Sequence, residues 1–232
     1  MTPRHVIVAI PAHNEQDHLP RCLTHLTKAT TQAHTHTGIT CTTVIALDGC
    51  TDTTPTIARS YGALTTTLNA HNVGAARHSA ICTAIATLDP HLLAAPEHIW
   101  IANTDADTLV PPHWIRAQLT LASNGADLIT GTVEPTPHTN PTLLNTWHAQ
   151  HNLTETHPYI HGANLGIRAS TYLQLGGFPT ITLHEDSTLV EHARTAGAHI
   201  ISTDTTRVRT SSRLHSKVDA GFAGYLRNIT TS

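Results

Sequence analysis

The chain has 232 residues, 39% of them hydrophobic and 12% charged, with a formal net charge of −3. That is enough apolar material for one full core, and there is no global basic field to hold a nucleic acid. No apolar run approaches the roughly 18 residues needed to span a bilayer.

Val6 to Ile10 is a short β-branched run that Pro11 stops. It reads as a buried strand, followed by the loop Pro11-Ala12-His13-Asn14-Glu15. Leu19, Leu23 and Leu26 recur at helical spacing and give a helix one apolar face, after which Thr30 to Gly38 is expected to be a polar loop. A second strand, Thr43 to Leu47, empties into Asp48-Gly49-Cys50-Thr51-Asp52. A helix from about Thr54 to Tyr61 follows, with Gly62 as its stop. A third strand, Leu64 to Leu68, gives way to Asn69-Ala70-His71-Asn72. Val73, Ala76, Ala80, Ile81, Ala84, Ile85 and Leu88 then share one helix face, with residues small enough to lie close against a sheet.

Ile99 to Ala102 has no helical period and reads as a central buried strand that runs into Asp105 and Asp107. Pro111-Pro112 opens a helix with Ile115, Leu119 and Ala122 inward, and Asp127 to Val133 is another strand. This alternation predicts an α/β fold: a doubly wound, mostly parallel mixed sheet with helices on both faces, Rossmann-like. Pro135, Pro137 and Pro141 then mark a loop, with a helix around Leu143 to Gln150. His161 to Arg168 is a turn feeding a short strand, and Gly176-Gly177-Phe178-Pro179 is a tight turn. Glu185-Asp186 opens a helix carrying Leu189, Val190, Ala193 and Ala196. A last strand near His199 to Thr203 precedes a tail with Arg207, Arg209, Arg213, Lys217 and Arg227.

In open α/β sheets ligands bind beyond the carboxyl ends of the strands, where Asp105 and Asp107 are expected. Two like charges so close cannot both ionise cheaply in a partly dry cleft. A hard divalent cation shared with a phosphate is an economical partner for them. Alone, the pair reads equally as an acidic helix cap plus a solvated loop carboxylate, and Glu185-Asp186 reads equally as two acids in a first helical turn. The four cysteines show no C-x-x-C spacing, and the N-terminus lacks a charged-then-apolar leader. Reduced thiols in a cytoplasmic protein are therefore expected.

Several polar sites in order carry a family resemblance. They are Pro11-Ala12 with Asn14-Glu15, Asp48-Gly49 with Thr51-Asp52, Asn72 with Gly74 and Arg77, and Asp105-Ala106-Asp107. Gly162-Ala163-Asn164 with Gly166 and Arg168, then Gly176-Gly177-Phe178 and Glu185-Asp186, complete the set. Over residues 6 to about 200 it resembles glycosyltransferase family 2 and its A-type nucleotide-sugar-binding fold. The resemblance implies that Pro11, Ala12 and Glu15 hold the nucleoside, with Asp48 in a second nucleoside loop. Leu47 stands where that loop commonly carries another acid, so one base-reading carboxylate is absent.

Asn72, Gly74 and Arg77 are implied to line the nucleotide pocket. Asp105 and Asp107 would bind the diphosphate and a Mg²⁺ or Mn²⁺ ion. Gly162, Ala163, Asn164 and Glu185 would shape the donor sugar and acceptor, and Asp186 would be the general base of an inverting transfer. The implied partners are a nucleotide diphosphate sugar and an acceptor that the sequence leaves open. On this reading the chain is a single domain, with a nucleotide-binding half over 1–110, an acceptor half over 111–204 and a basic tail over 205–232. The tail could close over the diphosphate or rest on anionic lipid, giving a membrane-associated protein.

His215 falls where some relatives place a third metal ligand. With 20 His in the chain, though, a histidine near any site is expected by chance, and none is assigned. The same discount applies to His34 with His36, and to His157 with His161, as zinc ligands, since zinc wants three or four convergent groups. A sugar-nucleotide nucleotidyltransferase would carry a Gly- and Arg/Lys-rich first loop, which Pro11 to Glu15 is not. A dinucleotide oxidoreductase would need G-x-G-x-x-G after the first strand. A non-catalytic nucleotide-sugar-binding module would have no use for a base at Asp186.

Overall fold

The computed structural model describes residues 1–137 and 141–213, and every side chain among them except those of Pro141 and Leu143. The first half holds β1 (His5–Ala12), α1 (Leu19–Thr37), β2 (Thr40–Asp48), α2 (Thr54–Ser60), β3 (Leu64–Leu68), α3 (Val73–Ile85), α4 (Pro90–Leu93) and β4 (Ile99–Asn103). The second half holds β5 (Thr108–Leu109), α5 (Trp114–Ser123), β6 (Leu128–Pro135), α6 (Pro141–Gln150), β7 (Leu165–Arg168), α7 (Ala169–Gln174), α8 (Glu185–Thr195) and β8 (Ile200–Thr210). The strands form one mixed sheet in the order β3-β2-β1-β4-β7-β6-β8-β5. β3, β2, β1 and β4 run parallel, as do β6 and β8. The pairs β4–β7, β7–β6 and β8–β5 are antiparallel. The expected doubly wound, mostly parallel mixed sheet is therefore the fold.

Burial on both faces follows from the period-2 pleat of the strands. Along β1, Val6, Val8 and Ile10 pack with Leu19, Leu23 and Leu26 of α1 and with Trp114 and Ile115 of α5. Ile7 and Ala9 face the other way, onto Ala76, Ala80 and Ile81 of α3 and Leu189 and Val190 of α8. Buried Arg168 ties the far end of the molecule together. Its guanidinium donates to the carbonyls of Met1, Glu97, Ala122 and Ala126 at 2.7–3.1 Å. The Ala122 carbonyl lies at the end of α5, where it also accepts the backbone N–H of Gly125 at 3.2 Å.

Three expectations are corrected. Residues 30–37 continue α1 rather than forming a loop, and the helix ends at Gly38 in the left-handed conformation (φ 71°). Ala29 and Ala33 extend the buried stripe begun by the leucines, and Thr27 and Thr37 turn their hydroxyls onto carbonyls four residues back. Pro135 closes strand β6 rather than opening a loop. β8 runs to Thr210, because Val208, Arg209 and Thr210 pair with Val133, Glu134 and Pro135 beyond an irregularity at Gly131. Arg207 and Arg209, expected in the tail, therefore stand on a strand, paired with Asp204 (2.5 Å) and Glu134 (3.1 Å). Lys217 and Arg227, like His215, lie outside the described residues.

Candidate active site

The carboxyl ends of β1, β2 and β4 open onto a cleft of about 900 Å³. The first wall carries Pro11, Ala12, Glu15 and Asp48, and the floor carries Arg77, Asp105 and Asp107. Gly162, Ala163, Glu185 and Asp186 form the opposite wall. Three segments drawn from between Pro11 and Asp186 therefore meet at one edge of one sheet, as ligand sites of this fold class require.

Arg77 is the centre of the floor. It is 3% exposed, and its guanidinium donates to Asp105 at 2.6 Å and to Glu185 on the facing wall. The ring of Phe178 lies 5.7 Å from its guanidinium carbon. Burial works against its charge, but Asp105, Glu185 and Asp186 outweigh it and raise its pKa. Gly162 has to be glycine here, because a Cβ would run into that guanidinium. Glu185 is itself pushed up by burial, with Arg77 pulling the other way. Each acidic pair thus gives one member to the same arginine.

The second member of the first pair is Asp107, with a side chain 13% exposed. Burial pushes its carboxyl up to about 6, against the pull of Arg213 and with the like charges of Asp105 and Glu15 adding to the rise. Arg213 lies 3.1 Å from Asp107 and grips Glu15 through two hydrogen bonds of 2.9 and 2.7 Å. Thr210 also donates to Asp107 at 3.2 Å. Even with a guanidinium alongside, then, this carboxylate is short of positive charge. That donor chemistry fits a hard divalent cation, which takes one or two carboxylates and fills its shell with phosphate and water oxygens. Among the described residues no three His, Cys, Asp or Glu side chains converge at ligating range, so protein ligands beyond Asp105 and Asp107 are not assigned.

The second member of the other pair is Asp186, in the first turn of α8. It accepts hydrogen bonds from the backbone N–H of Gly162 at 2.8 Å and of Ser187 at 2.7 Å. No cation pairs with it among the described residues. His161 lies on the same wall, and burial lowers its pKa to about 4 although Asp186 pulls upward, so the ring is neutral near pH 7.

Other expected site residues turn out to be braces. Asp48 is 5% exposed, and its carboxylate accepts the backbone N–H groups of Ala70, His71 and Asn72 at 2.7–2.9 Å. It orders the loop into α3 as well as lining the cleft. Asn72 caps α3 through the N–H of Ala75 and reaches the carbonyl of Ile181, both at 2.8 Å. Gly74 does not line the cleft; a Cβ there would overlap the Pro179 carbonyl. Asn164, expected to shape the sugars, is 1% exposed and does not reach the cleft. Its amide accepts from the Trp114 indole at 2.9 Å and donates to the carbonyls of Thr132 and Thr206 at 2.8 Å, in space that the side-chain-free Gly131 leaves open. His34 and His36 bond carbonyls at the end of α1, and His157 bonds Thr203, so neither pair converges on a metal.

Arg213 and His161 enter the site without having been assigned to it from sequence. Nothing in local spacing marks them: Arg213 meets Glu15 across 198 residues. The first-loop histidine, His13, donates from Nδ1 to the Asp48 carbonyl, which ties the ends of β1 and β2 together.

The glycosyl transferase family 2 model matches residues 7–174 of the chain. No curated protein matches it. TarS of S. aureus superposes with a TM-score of 0.60 over 90% of this chain at 15% identity, and TarS has also been solved with UDP. The mannosyltransferase PcManGT of Pyrobaculum calidifontis, in complex with GDP-Man and Mn²⁺, superposes with a TM-score of 0.61 over 95% at 19% identity. Glucosyl-3-phosphoglycerate synthase of Mycobacterium tuberculosis, with Mn²⁺, UDP-Glc and phosphoglyceric acid, gives 0.58 over 90% at 14% identity. The chain spans 60% of the length of that TarS chain and of the mannosyltransferase, and 72% of the synthase. At these identities the likeness is one of fold.

Proposed function

The chain belongs to glycosyltransferase family 2, and from that premise we propose that it moves a hexosyl group from a nucleoside diphosphate sugar to an acceptor hydroxyl, with inversion at the anomeric carbon. The observation that carries this reading is that Arg77 engages one member of each acidic pair, Asp105 and Glu185, while Asp107 and Asp186 line the same cleft without bonding to it.

Asp105 and Asp107 are the residues that would hold a Mg²⁺ or Mn²⁺ ion. When bound, such an ion neutralises the charge that develops on a diphosphate leaving group. Glu15 and Asp48 lie on the wall where the nucleoside would sit, beside Pro11 and Ala12. Asp186 is the general base. The acceptor oxygen forms a bond to the anomeric carbon, the bond from that carbon to the diphosphate oxygen breaks, and the acceptor proton passes to the Asp186 carboxylate. Two backbone N–H groups orient that carboxylate without neutralising it. Glu185 is unsuited to the same task because Arg77 engages it. The neutral His161 beside Asp186 adds no competing cation.

A comparison of Asp186→Asn with Glu185→Gln tests the reading, since Asn caps a helix as well as Asp does. UDP-glucose and GDP-mannose with Mn²⁺ are the first probes, with release of nucleoside diphosphate as the readout. Turnover of Asp186→Asn should fall by roughly 10²–10⁴-fold, with nucleotide affinity and melting temperature held and Glu185→Gln milder. A folded Asp186→Asn protein that turns over near the wild-type rate would overturn the assignment.

A further inference from the structure

We propose that Asn72 is a positioning residue for Asp186, a role that rests on Asp186 being the general base, and that the first turn of α3 serves the acceptor wall of the cleft. Residues 181–184 are exposed, and they lead into α8 through His184, whose φ of 64° puts a non-glycine residue in the left-handed region. A segment of this kind does not hold itself in place. Among the described residues, one hydrogen bond ties residues 179–183 to the rest of the protein: Asn72 Nδ2–H to the Ile181 carbonyl, 2.8 Å.

The tether has a firm base. The N–H of Asn72 is held by Asp48 at 2.9 Å, and its Oδ1 caps α3 through Ala75 at 2.8 Å. Gly74, one turn position on, leaves the room in which the Pro179 carbonyl sits, and its own nearest side-chain neighbour on the facing wall is the Cβ of Glu185. A continuous path therefore runs from the end of β2 through Asp48, Asn72 and Ile181 to the residues that begin α8. Asp186, at the end of that path, is aimed by single backbone hydrogen bonds from Gly162 and Ser187, and among the described residues the Ser187 hydroxyl is its one side-chain partner.

Two substitutions separate the tether from the cap. Asn72→Asp keeps an oxygen for the Ala75 N–H but sets a carboxylate oxygen against the Ile181 carbonyl. Asn72→Ser also caps, is too short to reach Ile181, and adds no charge. In both, hydrogen exchange at the Gly162 amide, which reports its bond to Asp186, should accelerate by about 3- to 10-fold, as for loss of one hydrogen bond. Release of UDP from UDP-glucose, or of GDP from GDP-mannose, should show kcat reduced by a similar factor, with UDP and GDP dissociation constants and the melting temperature unchanged. A role confined to capping α3 would leave Gly162 exchange, kcat and the melting temperature at wild-type values in both variants, because both keep the cap. Wild-type exchange at Gly162 in either variant, or a defect in the Asp variant that the Ser variant lacks, would overturn the proposal. Normal turnover in Asp186→Asn would instead overturn the base assignment, and the exchange measurement would still decide the tether.

Discussion

The two acidic pairs of the cleft are chemically alike and mechanically different. Asp105 and Asp107 leave β4, buried at every residue and paired on both sides by β1 and β7. Glu185 and Asp186 follow an exposed loop that, among the described residues, is held by a single hydrogen bond. Each pair gives its first member to Arg77 and keeps its second for the cleft. One pair is placed by the sheet itself. The other is placed by side chains on α3, the element between them. On the proposed function, the leaving group meets the pair placed by the sheet and the acceptor meets the pair placed by α3.

The sharpest way to break this comparison is to remove the shared arginine. Arg77→Met strips the counter-ion from Asp105 and Glu185 at once. Removing one partner of a buried ion pair costs about 3–5 kcal/mol. Because the Asp105 side chain is 34% exposed, the low end applies to that half. The melting temperature should drop by roughly 6–12 °C for about 3 kcal/mol in a domain of this size. An unchanged melting temperature in calorimetry would mean that the two walls do not depend on each other through Arg77.

A smaller effect should separate the pairs by charge. UDP or GDP with Mn²⁺ at about 100 times the dissociation constant should stabilise the protein by roughly 2.7 kcal/mol. Asp107→Asn should lose the part of that stabilisation that requires metal, while Asp186→Asn keeps it. Thermal shifts measured with Mn²⁺ and with chelator decide this. A full metal response in Asp107→Asn would place the cation elsewhere.

The smallest effect concerns the acceptor wall and pH. The pKa of His161 is depressed from 6.5 to about 4 in the folded protein. Between those values the unfolded chain binds more protons, so stability is fully present above pH 6.5 and falls as the pH drops toward 4. His161→Gln removes this slope and should retain roughly 2 kcal/mol more stability at pH 4.5 than the wild type does, relative to pH 7. Urea midpoints at the two pH values check it, and parallel curves for the two proteins would show His161 to be exposed and protonated.

The sequence by itself determined the order of the longer strands and helices, though not the short α4, β5 and α7, together with the two-faced sheet and the edge at which its acids gather. Those features are local: β-branched runs, helical spacing of leucines and alanines, and a glycine or proline at each break report burial within a few residues of themselves. They were legible even for α3, where Ala76, Ala80 and Ala84 mark the face that lies on β1 and β2. Where the stripe was written in alanines among threonines and histidines, as over residues 27–37, the same rule understated the helix. Tertiary structure alone decided how each polar group is used. Asn164 sits in a motif that reads as a ligand contact, yet its partners Trp114, Thr132 and Thr206 lie 50, 32 and 42 residues away and enclose it completely. Arg213 reads as one charge of a tail until Glu15 and Asp107 are brought beside it. The physical reason is that an apolar side chain needs only to leave water, which its neighbours in sequence foretell, whereas a buried polar group must find specific partners, and those are assembled only when distant segments meet.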